Sequence, residues 1–179
     1  MRFLDILFSL LGLLFFFPLF IIIFILGWFD TRSPIFFQKR VGIKQKTFML
    51  IKFRTMKPDT LSSGTHLVDP SKITFFGHFL RKYKLDELLQ LWNVLTGAMS
   101  LVGPRPCLLN QKRLISERKK RGIFKVKPGI TGLAQVSGIT MKTPKLLAKT
   151  DLKMIKKMSL YYYFYYISKT LLSFVKKRV

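Results

Sequence analysis

The chain has 179 residues, with 32 Lys and Arg against 8 Asp and Glu, a net charge of +24, and 49% hydrophobic residues. That length allows about one domain of ordinary size plus an appendage, and high apolar content combined with high positive charge argues against a freely soluble domain. A basic surface seeks phosphates, in nucleic acid or on an anionic membrane; the apolar excess, gathered at the N-terminus, favours the membrane, and the single cysteine, Cys107, excludes an internal disulfide and suits a reducing compartment.

Residues 6–29 carry no charge. As a straight helix this stretch would reach roughly 36 Å, enough to cross a hydrocarbon core. A cleavable signal peptide fits poorly, because the basic head is only Met1-Arg2, Asp5 follows closely, and no small-residue cleavage site comes after the apolar run. Residues 1–29 therefore read as a membrane anchor and residues 30–179 as the domain it carries. Two topologies follow. A spanning helix would leave the basic remainder in the cytoplasm. Alternatively Pro18, which removes one backbone hydrogen bond and clashes with the turn near Leu14, breaks the helix midway and returns the chain to the face it entered from.

Residues 30–34 are polar and turn-like and mark the exit from the membrane. Residues 35–38 and 47–55 read as the strands of a hairpin around Gly42, carrying Arg40, Lys52 and Arg54 as a basic cluster. Residues 58–74, rich in Ser, Thr, Gly and Asp, read as a long loop containing His66, a solvated histidine with no second ligand at metal spacing. Residues 73–84 combine Phe75, Phe76, Phe79 and Leu80 with Arg81, Lys82 and Lys84, an amphipathic pattern suited to the headgroup zone.

A helix is expected to open at Asp86. Leu85, Leu88, Leu89, Trp92 and Leu95 fall on one apolar face, Asp86, Gln90 and Asn93 form a polar line at i, i+4 and i+7, and Gly97 is a stop signal. Basic helices are expected over residues 111–122 and 142–158. Between them lies a glycine-punctuated loop, residues 127–135, and beyond them come Tyr161, Tyr162, Tyr163, Tyr165 and Tyr166, of the kind found at membrane interfaces, and a basic end.

Asp86 and Glu87 are the one adjacent pair of acids in the sequence. Acids are favoured in the first turn of any helix, but these two are flanked by Arg81, Lys82 and Lys84 and followed by Pro104-Arg105-Pro106, in which two prolines fix the backbone around one guanidinium. Carboxylate, guanidinium and helix terminus together point to phosphoryl chemistry, with the acid either holding Mg²⁺ with substrate phosphates or attacking phosphorus. Residues 129–132 offer glycine N–H groups to a phosphate or nucleotide, with Thr131 and Gln135 as candidate contacts, although the Gly-Lys-Ser/Thr of a Walker loop is missing.

Taken together these blocks resemble the bacterial sugar transferases, the small monotopic polyprenyl-phosphate phosphoglycosyl transferases. The resemblance rests on Arg2-Phe3-Leu4-Asp5 before a proline-interrupted apolar segment, on residues 34–42 with 52–56, on residues 85–94 leading to Met99-Ser100-Leu101-Val102-Gly103-Pro104-Arg105-Pro106, on residues 127–136, and on the Asp151 segment with its basic C-terminus. It implies a mainly α fold with a small β-hairpin, a re-entrant N-terminal segment broken at Pro18, and interfacial amphipathic helices at the cytoplasmic face of a bacterial inner membrane. It implies transfer of a sugar-1-phosphate from a UDP-sugar to polyprenyl (undecaprenyl) phosphate, with UMP released, as the first membrane step of glycan assembly. Asp86 matches the nucleophile and a tentative Mg²⁺ ligand, Glu87 its acidic partner, and Arg105 a phosphate-holding arginine. Arg40, Lys52, Arg54, Arg81, Thr131 and Gln135 are the remaining candidate phosphate or nucleotide contacts, and anionic lipids the expected surroundings. Phe17, Ala98 and Ile139 stand where the family commonly has Ser, Asp, and Arg or Asn. The alternative is an inactive membrane-bound basic scaffold derived from such a transferase; a nucleic-acid binder rests on charge alone and leaves the acid pair without a role.

Overall fold

The computed structural model describes residues 1–58, 60 and 69–176, so His66 lies outside the described residues. Helices dominate and the sheets are small. Helices α1 (Arg2–Phe15) and α2 (Phe17–Thr31) meet at a 60° bend, and no single helix is long and apolar enough to cross a membrane. The break falls at Phe16, and Pro18 sits in the first turn of α2, where its missing N–H costs no intrahelical bond. Both helices are inside out by the standards of a water-soluble protein. Toward the protein α1 turns Asp5 and Ser9, and α2 turns Ile23, Gly27 and Thr31, one residue per turn. Their outer surface is Phe3, Leu14, Phe15, Phe17 and Phe29, with Phe15 78% exposed.

The expected hairpin is present as β1 (Ile35–Val41) and β2 (Thr47–Phe53), antiparallel, with Phe36 opposite Lys52 and Arg40 opposite Phe48. Strand β4 (Cys107–Leu108) joins the other edge of β1, pairing Val41 with Cys107. This carries the Pro-Arg-Pro segment, immediately before β4, to the hairpin. Helix α3 (Phe75–Lys82) is capped by the Thr74 hydroxyl, which accepts from the Gly77 N–H at 2.9 Å. It buries Leu80 against Ile23 and Phe53 and leaves Phe75 94% exposed.

The helix expected to open at Asp86 is not continuous. A 3-10 turn covers Leu85–Glu87, and α4 (Gln90–Leu95) begins only afterwards. Lys84 enters the left-handed region at φ 51°, and the bonds that follow, Leu88 N–H to Leu85 and Leu91 N–H to Leu88, span three residues instead of four. This tightening rotates the polar line inward. Asp86, Gln90 and Asn93 are buried while Trp92, assigned above to the apolar face, is 52% exposed. Asn93 is satisfied by the edge of the hairpin: its carboxamide accepts from Ile51 N–H at 3.0 Å and donates to the Met49 carbonyl at 2.8 Å. Gly97, at φ 88°, ends the segment as expected.

Helices α5 (Lys112–Lys120), α6 (Leu133–Val136), α7 (Pro144–Lys156) and α8 (Leu160–Lys176) complete the domain. Leu114 and Leu147 close one core with Val41, Cys107 and Ala134, and Met154, Tyr163 and Tyr166 close another with Val102. The short parallel pair β3 (Ser100–Val102) and β5 (Gly129–Thr131) packs against α8. Here the glycine loop serves packing rather than an open phosphate cradle. The Gly129 N–H bonds the Pro104 carbonyl at 3.0 Å, and a Cβ on Gly129 would stand 2.0 Å from the Gly103 nitrogen. We expect Gly129→Ala to prevent stable folding, read as loss of the cooperative urea transition; a variant with wild-type stability would refute this backbone-to-backbone packing.

Candidate active site

Asp86 is 8% exposed, and no hydrogen bond holds its carboxylate among the described residues. Burial, and then the neighbouring Glu87 charge, push its pKa up to about 6; Lys52, Arg81 and Arg105 pull the other way. An acid that is buried, unbonded and ringed by cations is a candidate reactive group. Glu87 is in a different state. Burial opposes its charge, but the Arg105 guanidinium, which bonds its Oε1, together with Lys52 and Lys84 outweighs burial and holds it below the usual range. The two adjacent carboxylates are thus divided, one engaged and one poised.

The cations divide as well. Lys52 lies 5.4 Å from the Phe36 ring centroid, and burial brings its ammonium down to about 8, against the attraction of Asp86. Arg81 bonds the Thr55 hydroxyl through Nε at 2.8 Å and remains within electrostatic reach of Asp86. Arg105 keeps 42% of its side chain exposed although it is paired to Glu87. Arg40 is buried, its pKa lowered by burial and by Arg105 to about 10; it donates to the Pro106 carbonyl at 3.1 Å and to Gln38. These four therefore gather about the acid pair. Arg54 is not among them. Its Nε donates to the Ser33 carbonyl at 2.7 Å and its guanidinium stacks on Phe36, which ties the exit from α2 to the hairpin. Thr131 pairs its hydroxyl with Thr170, and Gln135 donates to the Gly103 carbonyl at 3.3 Å, so both sit on the β3–β5 side of the fold.

Among the described residues no three His, Cys, Asp or Glu side chains converge to hold a metal ion. Mg²⁺ seldom uses an all-protein cage; one or two carboxylates and substrate phosphates suffice. The unbonded Asp86 carboxylate suits that role, whereas Glu87 is occupied by Arg105.

Sequence reasoning passed over three supports. One is the Asn93 bridge. The second is a fully buried ion pair in which Arg118, on α5, donates through Nε and Nη2 to Asp151 Oδ2, on α7, at 3.0 and 2.8 Å. The third is the first turn of α1. Arg2 donates to the Val94 and Leu95 carbonyls at the end of α4, and Asp5 Oδ1 accepts from the Ser100 hydroxyl, the Leu101 N–H and the Tyr163 hydroxyl. Within a basic helix Arg118 carries no signal of its own, although a buried guanidinium calls for a carboxylate and Asp151 is the next acid along the chain beyond it.

The family model described as bacterial sugar transferase matches residues 1–177, and the chain belongs to that family. It is 50% identical over 107 residues, 59% of this chain and 52% of the relative, to the uncharacterized sugar transferase EpsL of Bacillus subtilis (strain 168). It is 40% identical over 146 residues, 74% of this chain and 30% of the relative, to the UDP-glucose:undecaprenyl-phosphate glucose-1-phosphate transferase of Xanthomonas campestris pv. campestris. It is 38% identical over 144 residues, 75% of this chain and 27% of the relative, to the undecaprenyl-phosphate glucose phosphotransferase of Komagataeibacter xylinus. The matched region is thus about half of the first of these and under a third of the other two.

Proposed function

We propose that this protein transfers a sugar-1-phosphate from a UDP-sugar to a polyprenyl phosphate such as undecaprenyl phosphate, through a covalent intermediate on Asp86. The observation that carries this reading is the state of Asp86: buried, free of hydrogen bonds among the described residues, and set among Lys52, Arg81 and Arg105. The relatives from Xanthomonas campestris pv. campestris and Komagataeibacter xylinus, by their names, supply the donor and acceptor classes.

In the first half-reaction an Asp86 carboxylate oxygen bonds to the sugar-side phosphorus while the diphosphate bridge breaks, and UMP leaves with the bridging oxygen. In the second, an oxygen of the lipid phosphate bonds to the same phosphorus and the Asp86–phosphorus bond breaks, regenerating the carboxylate and forming the polyprenyl-diphosphate sugar. Arg105 and Lys52 stabilise the charge that grows on the phosphoryl oxygens, in a partly dry site where such contacts count for most. Arg105 reaches them by exchanging part of its contact with Glu87. Mg²⁺, held by Asp86 and the substrate phosphates, would neutralise diphosphate charge.

The outward apolar surface of α1 and α2 supports a re-entrant placement at the cytoplasmic face of the inner membrane, with the bend at Phe16 deepest and the exposed Phe75 and Phe79 of α3 in the headgroup zone. The test is intact mass of the full chain in lipid nanodiscs with Mg²⁺ and candidate UDP-sugars. The expected result is a mass gain of one sugar phosphate with stoichiometric UMP, discharged on adding polyprenyl phosphate. UMP release only when both substrates are present, with no adduct at any time, would replace the covalent route with direct transfer. No UMP from any UDP-sugar would leave the inactive scaffold.

A further inference from the structure

The three carbonyls of Pro104-Arg105-Pro106 each receive a donor from a different part of the chain. Gly129 N–H reaches Pro104 at 3.0 Å, Arg118 Nη1 reaches Arg105 at 2.8 Å, and Arg40 Nη1 reaches Pro106 at 3.1 Å. The middle one stands apart because of what lies behind it. Arg118 is 2% exposed and Asp151 is 0% exposed, and Nε and Nη2 of Arg118 both close on Asp151 Oδ2. A guanidinium is planar, so fixing two of its donors on one carboxylate aims the third, here at the Arg105 carbonyl. Pro106 already restricts the backbone of Arg105 to extended conformations. With its carbonyl held as well, the direction in which the Arg105 side chain leaves the backbone is set, and that direction ends on Glu87 beside Asp86.

Stability alone does not account for a pair buried this deeply. Apolar residues of similar volume commonly replace a buried ion pair without loss, but they offer no donor to the Arg105 carbonyl. We propose that Arg118 and Asp151 are positioning residues of the transfer site, acting through the Arg105 carbonyl to hold its guanidinium at the acid pair. The proposal rests on the sugar-phosphate transfer reading for its kinetic consequence and on geometry alone for its structural one.

The discriminating protein is the double variant Arg118→Met with Asp151→Leu in the full chain, which removes both charges together. Its urea midpoint should stay close to that of the wild type while kcat falls about ten- to hundred-fold and KM for the UDP-sugar changes less than about threefold, the signature of a displaced group rather than a lost binding contact. Adding Arg105→Ala should cost the double variant far less than it costs the wild type, because both changes disable the same guanidinium. Wild-type kcat in a stable double variant, or losses that add in full, would overturn the proposal. If the double variant does not fold, Arg118→Lys serves in its place, since it keeps a charge facing Asp151 but cannot span to the Arg105 carbonyl; full turnover there would be equally fatal. A second readout needs no turnover. The Arg105 Nη2–H resonances, whose exchange the Glu87 contact should slow in the wild type, should become solvent-averaged in the variant. An unchanged resonance refutes the positioning role even if the wild type transfers no sugar phosphate, whereas an inactive wild type with the resonance shift refutes only the transfer reading.

Discussion

Asp86→Asn is expected to abolish transfer, by on the order of a thousandfold or more, and at the same time to make the protein harder to unfold at neutral pH. Both effects come from one cause. Burial and Glu87 raise the carboxyl from its unfolded value of 3.8 to about 6 in the folded chain. An acid raised by folding is favoured in its protonated form there, so the folded state carries a penalty that is absent below the unfolded pKa, grows between the two values, and is complete above about pH 6. A shift of that size corresponds to about 2–3 kcal/mol. Asparagine mimics the neutral acid and relieves the penalty while removing the nucleophile. The gap between variant and wild-type urea midpoints should therefore open from about pH 4 to pH 7, in favour of the variant. A variant less stable than the wild type at pH 7 would mean that Asp86 is held by favourable pairing and not against its burial.

The same electrostatics predict a two-limbed pH profile. On the proposed route Asp86 attacks in its ionised form, so kcat/KM of the wild type should fall tenfold per pH unit below about 6. Lys52 runs in the opposite sense: burial lowers its folded pKa to about 8, and above that value it loses the charge that faces the substrate phosphates. Lys52→Arg should push the alkaline limb upward and leave the acid limb in place, measured as kcat/KM from pH 5 to 10. An alkaline limb unmoved in that variant would remove Lys52 from the site.

How much of this was legible beforehand depended on whether the relevant signal was local. The hairpin follows from alternation, and α5 and α7 fall within the two basic helices expected over residues 111–122 and 142–158. The acid pair stood out because acids are scarce in so basic a chain. The break in the apolar segment was legible at Pro18. What stayed hidden depends on partners far along the chain. Strands β3 and β5 have three residues each and pair across 29 positions, from Ser100 to Gly129, too short and too distant for any pattern. The inward turn of Asp86, Gln90 and Asn93 comes from the left-handed Lys84 and from a donor and an acceptor on the edge of β2, and no helical wheel contains either. Most telling is the fate of the cations. Sequence shows that an arginine is present but not what it meets, and here several meet backbone carbonyls, which sequence does not distinguish. Arg54 goes to Ser33, Arg40 to Pro106, Arg118 to Arg105 and Arg2 to Val94 and Leu95. A good part of what read as a phosphate-seeking surface is internal scaffolding.

A large structural effect is also expected from Asp5→Ala, 81 positions before Asp86 in the sequence. Arg2 and Asp5 lie three residues apart on α1 and so share one face. Arg2 meets the C-terminal carbonyls of α4, where a cation also opposes the helix dipole. Asp5, 3% exposed, gathers a backbone N–H and two hydroxyls on one oxygen at 2.9–3.0 Å. One of them is Tyr163, whose ionisation burial and the Asp5 carboxylate both oppose. Alanine strands all three donors in a closed space, and since each charge-assisted bond contributes about 1.5–3 kcal/mol without full additivity, the loss should be about 3–5 kcal/mol. Asp5→Asn keeps an acceptor oxygen and should lose less than half as much. The apolar outer faces of α1 and α2 are untouched by either change, so both variants should still sediment with membranes while the alanine variant loses turnover and becomes sensitive to protease within residues 95–105. An alanine variant as resistant as the wild type would show that α1 holds its place through its apolar contacts alone. Loss of membrane binding instead would show that the clasp, and not the exposed phenylalanine surface, keeps the hairpin in its bent form.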